Sequence, residues 1–428
     1  MKATELEQYF DRLWPICRSI TGNGLRSSFQ ILQEIAPFEL TEVPSGTSVF
    51  DWVIPQEWNI TDAYIIDPNG KKWADFKVNN LHVVGYSTPV RAKMNFEELR
   101  PHLHSLASQP DAIPYITSYY KPYWGFCLSQ QEFDLLPQEG TYEVVIESEL
   151  KDGSLTYGEV VLPGKTDQEI LLSSYLCHPS MANNELSGPL ALVGIYERLS
   201  KLTDRHFTYR FILAPETIGI IAFLAKRGDH LKKKLTAGYV LTCCGDSGIF
   251  HYKKSKKGDS LADRVAEHVL RYRGDEYAVL PFAVGGSDER QYCSPGFNLP
   301  VGSLMRTPYQ RYDYYHTSKD DKQFISFDAL EKTIDRYVDI ALAFEQNAFY
   351  YNEVQFGEPN MGKRGLYPSA TSPDIQRAAV HRMMHLLSFA DGEHDLLSIA
   401  ERRNEGIWEY ETAVANCLKA GIIKALDK

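Results

Sequence analysis

The chain has 428 residues, room at the usual ~100–200 residues per domain for two or three domains with sizeable cores, which excludes a peptide hormone or a small stapled scaffold. A hydrophobic fraction of 43% beside 24% charged residues excludes disorder for most of its length. Lys+Arg minus Asp+Glu is 45 − 56 = −11 and the longest basic run is Lys232-Lys233-Lys234, so neither nucleic acid nor an anionic membrane is an expected partner.

From Glu5 to Ile35 the apolar residues Leu6, Phe10, Leu13, Ile16 and Ile20, then Leu25, Phe29 and Leu32, recur at three- and four-residue spacing, broken by Thr21-Gly22-Asn23-Gly24. That rhythm predicts two amphipathic helices. From Thr41 to about Gly140 short β-rich runs alternate with turn signals, as in Tyr64-Ile65-Ile66, Asp67-Pro68-Asn69-Gly70 and Lys72 to Phe76, which predicts a separate small β-rich domain over 41–140. After Gly140 apolar strands alternate with helices: Tyr142 to Ile146, Glu169 to Ser173, a helix from Gly188 to Leu199, Thr208 to Ala214, another helix, then Gly238 to Cys244. This predicts an α/β domain built from 1–40 and 141–355, its sheet covered on both faces by helices. A linker around Asn360–Pro373 leads to a third unit at 365–428, where Val380, Met383, Met384 and Leu387 form an apolar stripe ahead of two more short helices, the size of a winged-helix domain. That unit carries seven Lys+Arg against nine Asp+Glu, 7 − 9 = −2, and is expected to pack on the α/β domain or on a second copy in a homo-oligomer, not on DNA.

The longest apolar stretch, Ile218 to Ala225, is far shorter than the ~20 residues of a membrane span, and Glu5, Glu7 and Asp11 stand where a basic leader would be. Seven cysteines without a CxxC, with Cys243-Cys244 inside an apolar run, read as reduced thiols of a cytoplasmic protein.

Four segments carry the candidate chemistry. Leu176-Cys177-His178 through Asn184-Glu185-Leu186-Ser187-Gly188 joins a strand to a helix, at the carboxyl end of the sheet, where open α/β folds bind ligands. His178 with an oxygen donor six or seven residues later has a spacing that can converge on one metal, although Asn184 equally suits a helix cap. Glu216, in Pro215-Glu216-Thr217-Ile218-Gly219, follows the next strand; a lone Glu there is more often a favourable charge at a helix start. The others are Gly285-Gly286-Ser287-Asp288-Glu289-Arg290-Gln291-Tyr292 and Tyr312 to Asp321, the latter containing Tyr315-His316-Thr317.

In order and spacing, His178, Asn184-Glu185-Leu186-Ser187-Gly188, Glu216, Ser287-Asp288 and Tyr315-His316-Thr317 resemble the zinc aminopeptidase family with two co-catalytic metals, over Gly140 to about Tyr350. Phe50-Asp51-Trp52-Val53-Ile54-Pro55, Asn80-Leu81-His82-Val83-Val84 and Gly286 to Gly296 are similar to bacterial aminopeptidase-like proteins associated with polysaccharide-biosynthesis loci, with an inserted β-rich domain and a C-terminal winged helix. The resemblance implies a zinc-aminopeptidase-like mixed sheet and a metal-dependent hydrolase of a small peptide or amide. The sequence departs from the family where Asn184 replaces the metal-bridging Asp, Thr217 the second Glu, and Thr242 the third-strand Asp, with Asp246 nearby. Two adjacent ions need carboxylates to offset their repulsion, so the expectation is one divalent ion, zinc, held by His178, His316 and an oxygen of Glu185 or Asn184. Glu216 and Asp288 are the expected catalytic residues; Glu216 moves a proton or, if the alignment slips by one, becomes a ligand. The alternative is a degenerate fold that binds a peptide or amino-sugar compound without cleaving it. Serine-hydrolase chemistry is disfavoured, since no GxSxG occurs.

Three weaker signals have plainer readings. Gly158…Gly164-Lys165-Thr166 has five residues where a phosphate loop needs four and reads as a turn; His381 and His385 read as surface histidines; Tyr119 to Phe126 reads as core of the insert or as lining of a cleft.

Overall fold

The structure is a computed structural model describing residues 1–366 and 373–426, without the side chains of 373–377. It divides into two compact units, Met1–Ala262 with Ala278–Asp335, and Asp263–Tyr277 with Arg336–Lys428.

The first unit is organised around a mixed sheet. Its strands in chain order are β1 (Glu39–Pro44), β2 (Ser154–Leu162), β3 (Glu169–Tyr175), β4 (Thr208–Ala214), β5 (Leu235–Leu241), β6 (Phe250–Lys253), β7 (Tyr277–Leu280) and β8 (Val301–Met305). Their spatial order is β1-β2-β4-β3-β5-β8-β6-β7. The central four, β4, β3, β5 and β8, are parallel, while β1, β2 and β6 run antiparallel to their neighbours. Every residue of β3 is buried, as a strand covered on both faces must be. Helix Ser187–Leu199 packs so closely that a Cβ on Gly188 would stand 2.4 Å from Ser174 Oγ and 2.6 Å from the Leu241 carbonyl oxygen, so only glycine fits there.

A second, antiparallel sheet orders Lys72–Trp73, Glu57–Ile66, Tyr142–Lys151 and Val90–Met94. Tyr142–Lys151, expected as the first strand of the α/β sheet, therefore belongs to the insert, whereas Glu39–Pro44 pairs with the large sheet. An apolar strand has the same period in either sheet, so its own pattern cannot assign it. One apolar cluster runs from Trp58 and Val144 of the insert to Leu171 and Ile212 of the large sheet.

In the second unit, Phe349–Asn352 is the central strand of a three-stranded sheet, flanked by Asp391–Asp395 and Ile423–Leu426. The α/β boundary expected at 355 thus falls beyond a strand of this sheet. Helices Pro373–Phe389, Leu396–Glu401 and Glu411–Lys419 complete it, with Asp395 capping the second through the Ser398 amide. Of the linker expected over Asn360–Pro373, residues 367–372 lie outside the described residues. No helix among the described residues is long and apolar enough to cross a membrane.

Candidate active site

Beyond the carboxyl end of β3 the chain leaves the sheet at Leu176, whose N–H still donates to the Ala214 carbonyl, and delivers Cys177 and His178 to the floor of a cavity of about 380 Å³. Five further residues of the chain, Ala182–Leu186, form one turn of π-helix before helix Ser187–Leu199 starts. Such turns re-aim side chains and often mark functional sites. Asp320, fully buried, holds this one by accepting the N–H groups of Asn183 (2.6 Å) and Asn184 (2.9 Å). Burial outweighs those bonds and lifts its carboxyl from 3.8 to about 6.

The turn faces Glu185 inward. Glu185 Oε2 lies 2.9 Å from His178 Nδ1, and Oε1 accepts the Cys177 N–H at 2.7 Å. The buried guanidinium of Arg18 sits 3.6 Å from Oε1 and donates to the His178 carbonyl at 3.1 Å. A carboxylate on Nδ1 fixes ring and tautomer, leaving Nε2 as the working nitrogen. Nε2 stands 3.8 Å from Glu216 Oε2. Burial pulls the His178 pKa down, but the Glu185 hydrogen bond and the two carboxylate charges carry it above its ordinary value.

Glu216 follows β4, with its N–H 3.3 Å from the Cys177 thiol. Burial raises that thiol well above its ordinary range, so Cys177 is a packing residue and an acceptor, not a nucleophile. The next residue, Thr217, has φ 64° and ψ −77°, and the Ile218 N–H closes on the Glu216 carbonyl at 2.8 Å. This is the positive-φ γ-turn, rare and strained, and costly for a β-branched residue. Asp288 Oδ1 fixes it by accepting the Thr217 N–H at 2.7 Å, and Arg290 Nη2 by donating to Thr217 Oγ1 at 3.0 Å. Ser180, Cys243 and His316 also have positive φ, so backbone strain gathers around the cavity.

His316 reaches the cavity from the loop before helix Phe327–Gln346, its ring centroid 5.6 Å from that of His178. The insert pins it there: the Tyr115 N–H donates to the His316 carbonyl at 2.9 Å, and the Tyr115 ring stands 5.1 Å from both imidazoles. Burial and the neighbouring His178 drop the His316 pKa to about 3, so the ring is neutral.

Of the residues expected at the site, His178, Glu216 and His316 line one cavity, and Glu216 is its only carboxylate. Glu185 and Asn184 do not face it. Both oxygens of Glu185 are engaged behind His178, while the Tyr175 hydroxyl donates to the Asn184 main-chain carbonyl at 2.5 Å and lies 3.4 Å from its Oδ1. The same hydroxyl lies 2.6 Å from Thr242 Oγ1, so neutral hydrogen bonds tie together two positions where the zinc peptidases resembled would place carboxylates. Asp288 is fully buried outside the cavity lining, with Oδ2 unpartnered; burial and the Glu216 charge raise its carboxyl well above the usual range, and it acts through Thr217. Asp246 holds the Asn183 amide and Thr307, away from the cavity. Arg18, Tyr115, Asp320 and the role of Arg290 were not anticipated. Tyr119 and Tyr120, from the aromatic run, do line the cavity.

Among the described residues, the one group of candidate metal donors lying within 4.8 Å of one another is Cys177, His178 and Glu185. Their atoms are already spent on each other and on the Cys177 N–H, and Arg18 beside Glu185 opposes a cation there. The nitrogen His178 offers to the cavity is Nε2.

Residues 7–347 match the family described as domain of unknown function DUF4910, about four-fifths of the chain. The chain belongs to this family. Residues 348–425 match a winged helix-turn-helix family. Over 396 residues, 92% of the chain and 90% of the relative, it is 48% identical to a Clostridium acetobutylicum protein named as a presumed polysaccharide biosynthesis protein with an aminopeptidase-like domain. A crystal structure of a presumed peptidase from Clostridium acetobutylicum superposes with a TM-score of 0.93 at 44% identity, covering 99% of this chain and 96% of that one. A zinc aminopeptidase of Bacillus subtilis shares the fold at 11% identity and a TM-score of 0.56, covering 80% and 95%. The architecture is therefore aminopeptidase-like, with an inserted β-rich part and a C-terminal winged helix.

Proposed function

We propose that this DUF4910 chain hydrolyses an amide or peptide bond in the cavity at the end of β3, using one divalent ion, zinc by its donor set. The observation that carries this is the convergence of His178 Nε2, His316 and a single carboxylate, Glu216, on one cavity, with His178 locked by Glu185 from behind. His178 and His316 supply two imidazoles of a usual catalytic zinc shell, and the neutral Asn184, Thr217 and Thr242 stand where carboxylates would offset the charge of a second ion. Bound at His178 and His316, the ion would polarise the amide carbonyl and lower the pKa of water toward ~7.

The chain's own residues do the rest. Burial raises the Glu216 carboxyl above its ordinary value, which favours a group that takes and returns a proton. Glu216 accepts the proton of the attacking water and hands it to the leaving amine. Glu185 keeps Nε2 of His178 aimed at the cavity, and Asp288 holds the γ-turn that presents Glu216. Tyr115, Tyr119 and Tyr120 wall the site. The substrate is a small amide, reached without nucleic acid or membrane; a cytoplasmic setting fits the free cysteines, all but Cys17 of them buried.

A second reading, binding without hydrolysis, is favoured by one observation: the donors of His178, His316 and Glu216 do not form a group closed within 4.8 Å. The test is hydrolysis of aminoacyl 4-nitroanilides and N-acetylated amino sugars by zinc-supplemented wild type and Glu216→Gln. We expect turnover by wild type and a loss of ~10²–10⁴-fold in the variant with metal content unchanged. Loss of metal together with activity makes Glu216 a ligand, and the absence of turnover in both leaves the binding reading standing.

A further inference from the structure

Among the described residues, the guanidinium of Arg290 is the one permanently charged cation lining the cavity. It belongs to the short helix Glu289–Tyr292, beside Asp288, and one of its N–H groups is fixed on Thr217 Oγ1. Its Nε is buried without a hydrogen-bond partner, and among the described residues no carboxylate comes within the 4.0 Å of an ion pair with it. Arg18 and Arg210, the other buried arginines near this sheet end or its opposite, each have a carboxylate partner. Glu216 and Asp288 feel the charge of Arg290 at longer range, but neither bonds it.

An arginine held at a cavity wall by one N–H on Thr217, without an acidic partner, is suited to receive an oxyanion from outside. Arg is suited to this because its planar donors match the two oxygens of a carboxylate or phosphate. The other basic groups on the wall are the two imidazoles, and His178 is already engaged by Glu185 on Nδ1 with Nε2 facing Glu216.

We propose that Arg290 selects a substrate bearing an anionic oxygen group, a carboxylate or a phosphate, close to its scissile amide. This rests on the reading that the cavity is the substrate site, and it adds the class of substrate. The aromatic wall takes the body of the ligand, Arg290 takes the anion, and Glu216 works on the amide between them.

The test is equilibrium binding to the full-length protein, by calorimetry, of N-acetylglycine, its uncharged isostere N-acetylglycinamide, and inorganic phosphate. Wild type should bind N-acetylglycine or phosphate more tightly than the amide by about 10-fold or more, and Arg290→Gln should erase that preference. Arg290→Lys should restore part of it. N-acetylglycine ahead of phosphate assigns a carboxylate substrate, and phosphate ahead assigns a phosphorylated one. Equal binding of acid and amide, no binding of either anion, or a preference that survives Arg290→Gln would overturn the proposal; the last would mean that Arg290 only offsets the charge of Glu216 and Asp288. The readout needs no turnover, so it stays distinct from the outcome for Glu216→Gln.

Discussion

Strand β3 starts at Glu169 and ends three residues short of His178, and each end gathers glutamate, histidine and arginine. At the Glu169 end every guanidinium nitrogen of Arg210 meets a carboxylate: Nε and Nη2 bond Glu169 at 2.7 and 2.6 Å, and Nη1 bonds Glu159. His230 Nε2 adds a bond to Glu169 at 2.7 Å, and no residue of this cluster has positive φ. At the His178 end the same residue types are left incomplete. Arg290 Nε, Arg18 Nη2 and Asp288 Oδ2 are buried without partners, and Ser180, Thr217 and His316 sit in left-handed conformations. Composition does not separate a structural ion cluster from a working site; unfinished bonding and strain do.

Exchanging one residue at each end gives the largest contrast. Glu216→Gln should cost ~10²–10⁴ in hydrolysis with little change in stability. Arg210→Met should do the reverse, leaving the buried Glu169 with His230 alone and Glu159 with Arg227 alone, and costing on the order of 3 kcal/mol in urea denaturation with activity per folded molecule intact. An Arg210→Met protein that is stable but inactive would dissolve the distinction between the two ends.

The pH dependence of stability sharpens it further. Because Asp320 rises from 3.8 to about 6 on folding, the folded chain holds a proton that the unfolded chain has already released between those values. Its contribution is complete below the unfolded pKa and is lost as pH climbs through the folded one, a decline on the order of 2–3 kcal/mol. Asp320→Asn should lack this decline when denaturation is followed from pH 3.5 to 7. A variant with the same slope as wild type would place the titration elsewhere.

The smallest effect concerns stored strain. Thr217→Gly removes a β-branched residue from φ 64° and should raise stability by about 1 kcal/mol while loosening Arg290 and its choice of anion. A loss of stability would show that the hydroxyl bond to Arg290 outweighs the strain.

His178, Glu216 and His316 stood out in the sequence through their order and spacing in the resemblance to zinc aminopeptidases; position after an apolar strand alone left Glu216 reading as a helix-start charge. Glu185 could be placed near His178 by spacing, but spacing does not tell Nδ1 from Nε2, so a residue that orients the imidazole was read as one that binds metal. Asp288 was expected as a catalytic residue and not as a carboxyl behind the cavity wall. Arg18 sits 160 positions before His178, and Tyr115 comes from an insert whose aromatics read equally as core. Fold class followed from the alternation of apolar strands and helices, while the exchange of Tyr142–Lys151 for Glu39–Pro44 between the two sheets depended on pairing that no single strand encodes.

The central claim, a site for one ion and not two, is tested most directly by elemental analysis of the purified full-length protein after zinc saturation and removal of free metal. The account predicts one divalent ion per chain, lost in His178→Ala. Two ions per chain, none at all, or full metal content in His178→Ala would contradict it.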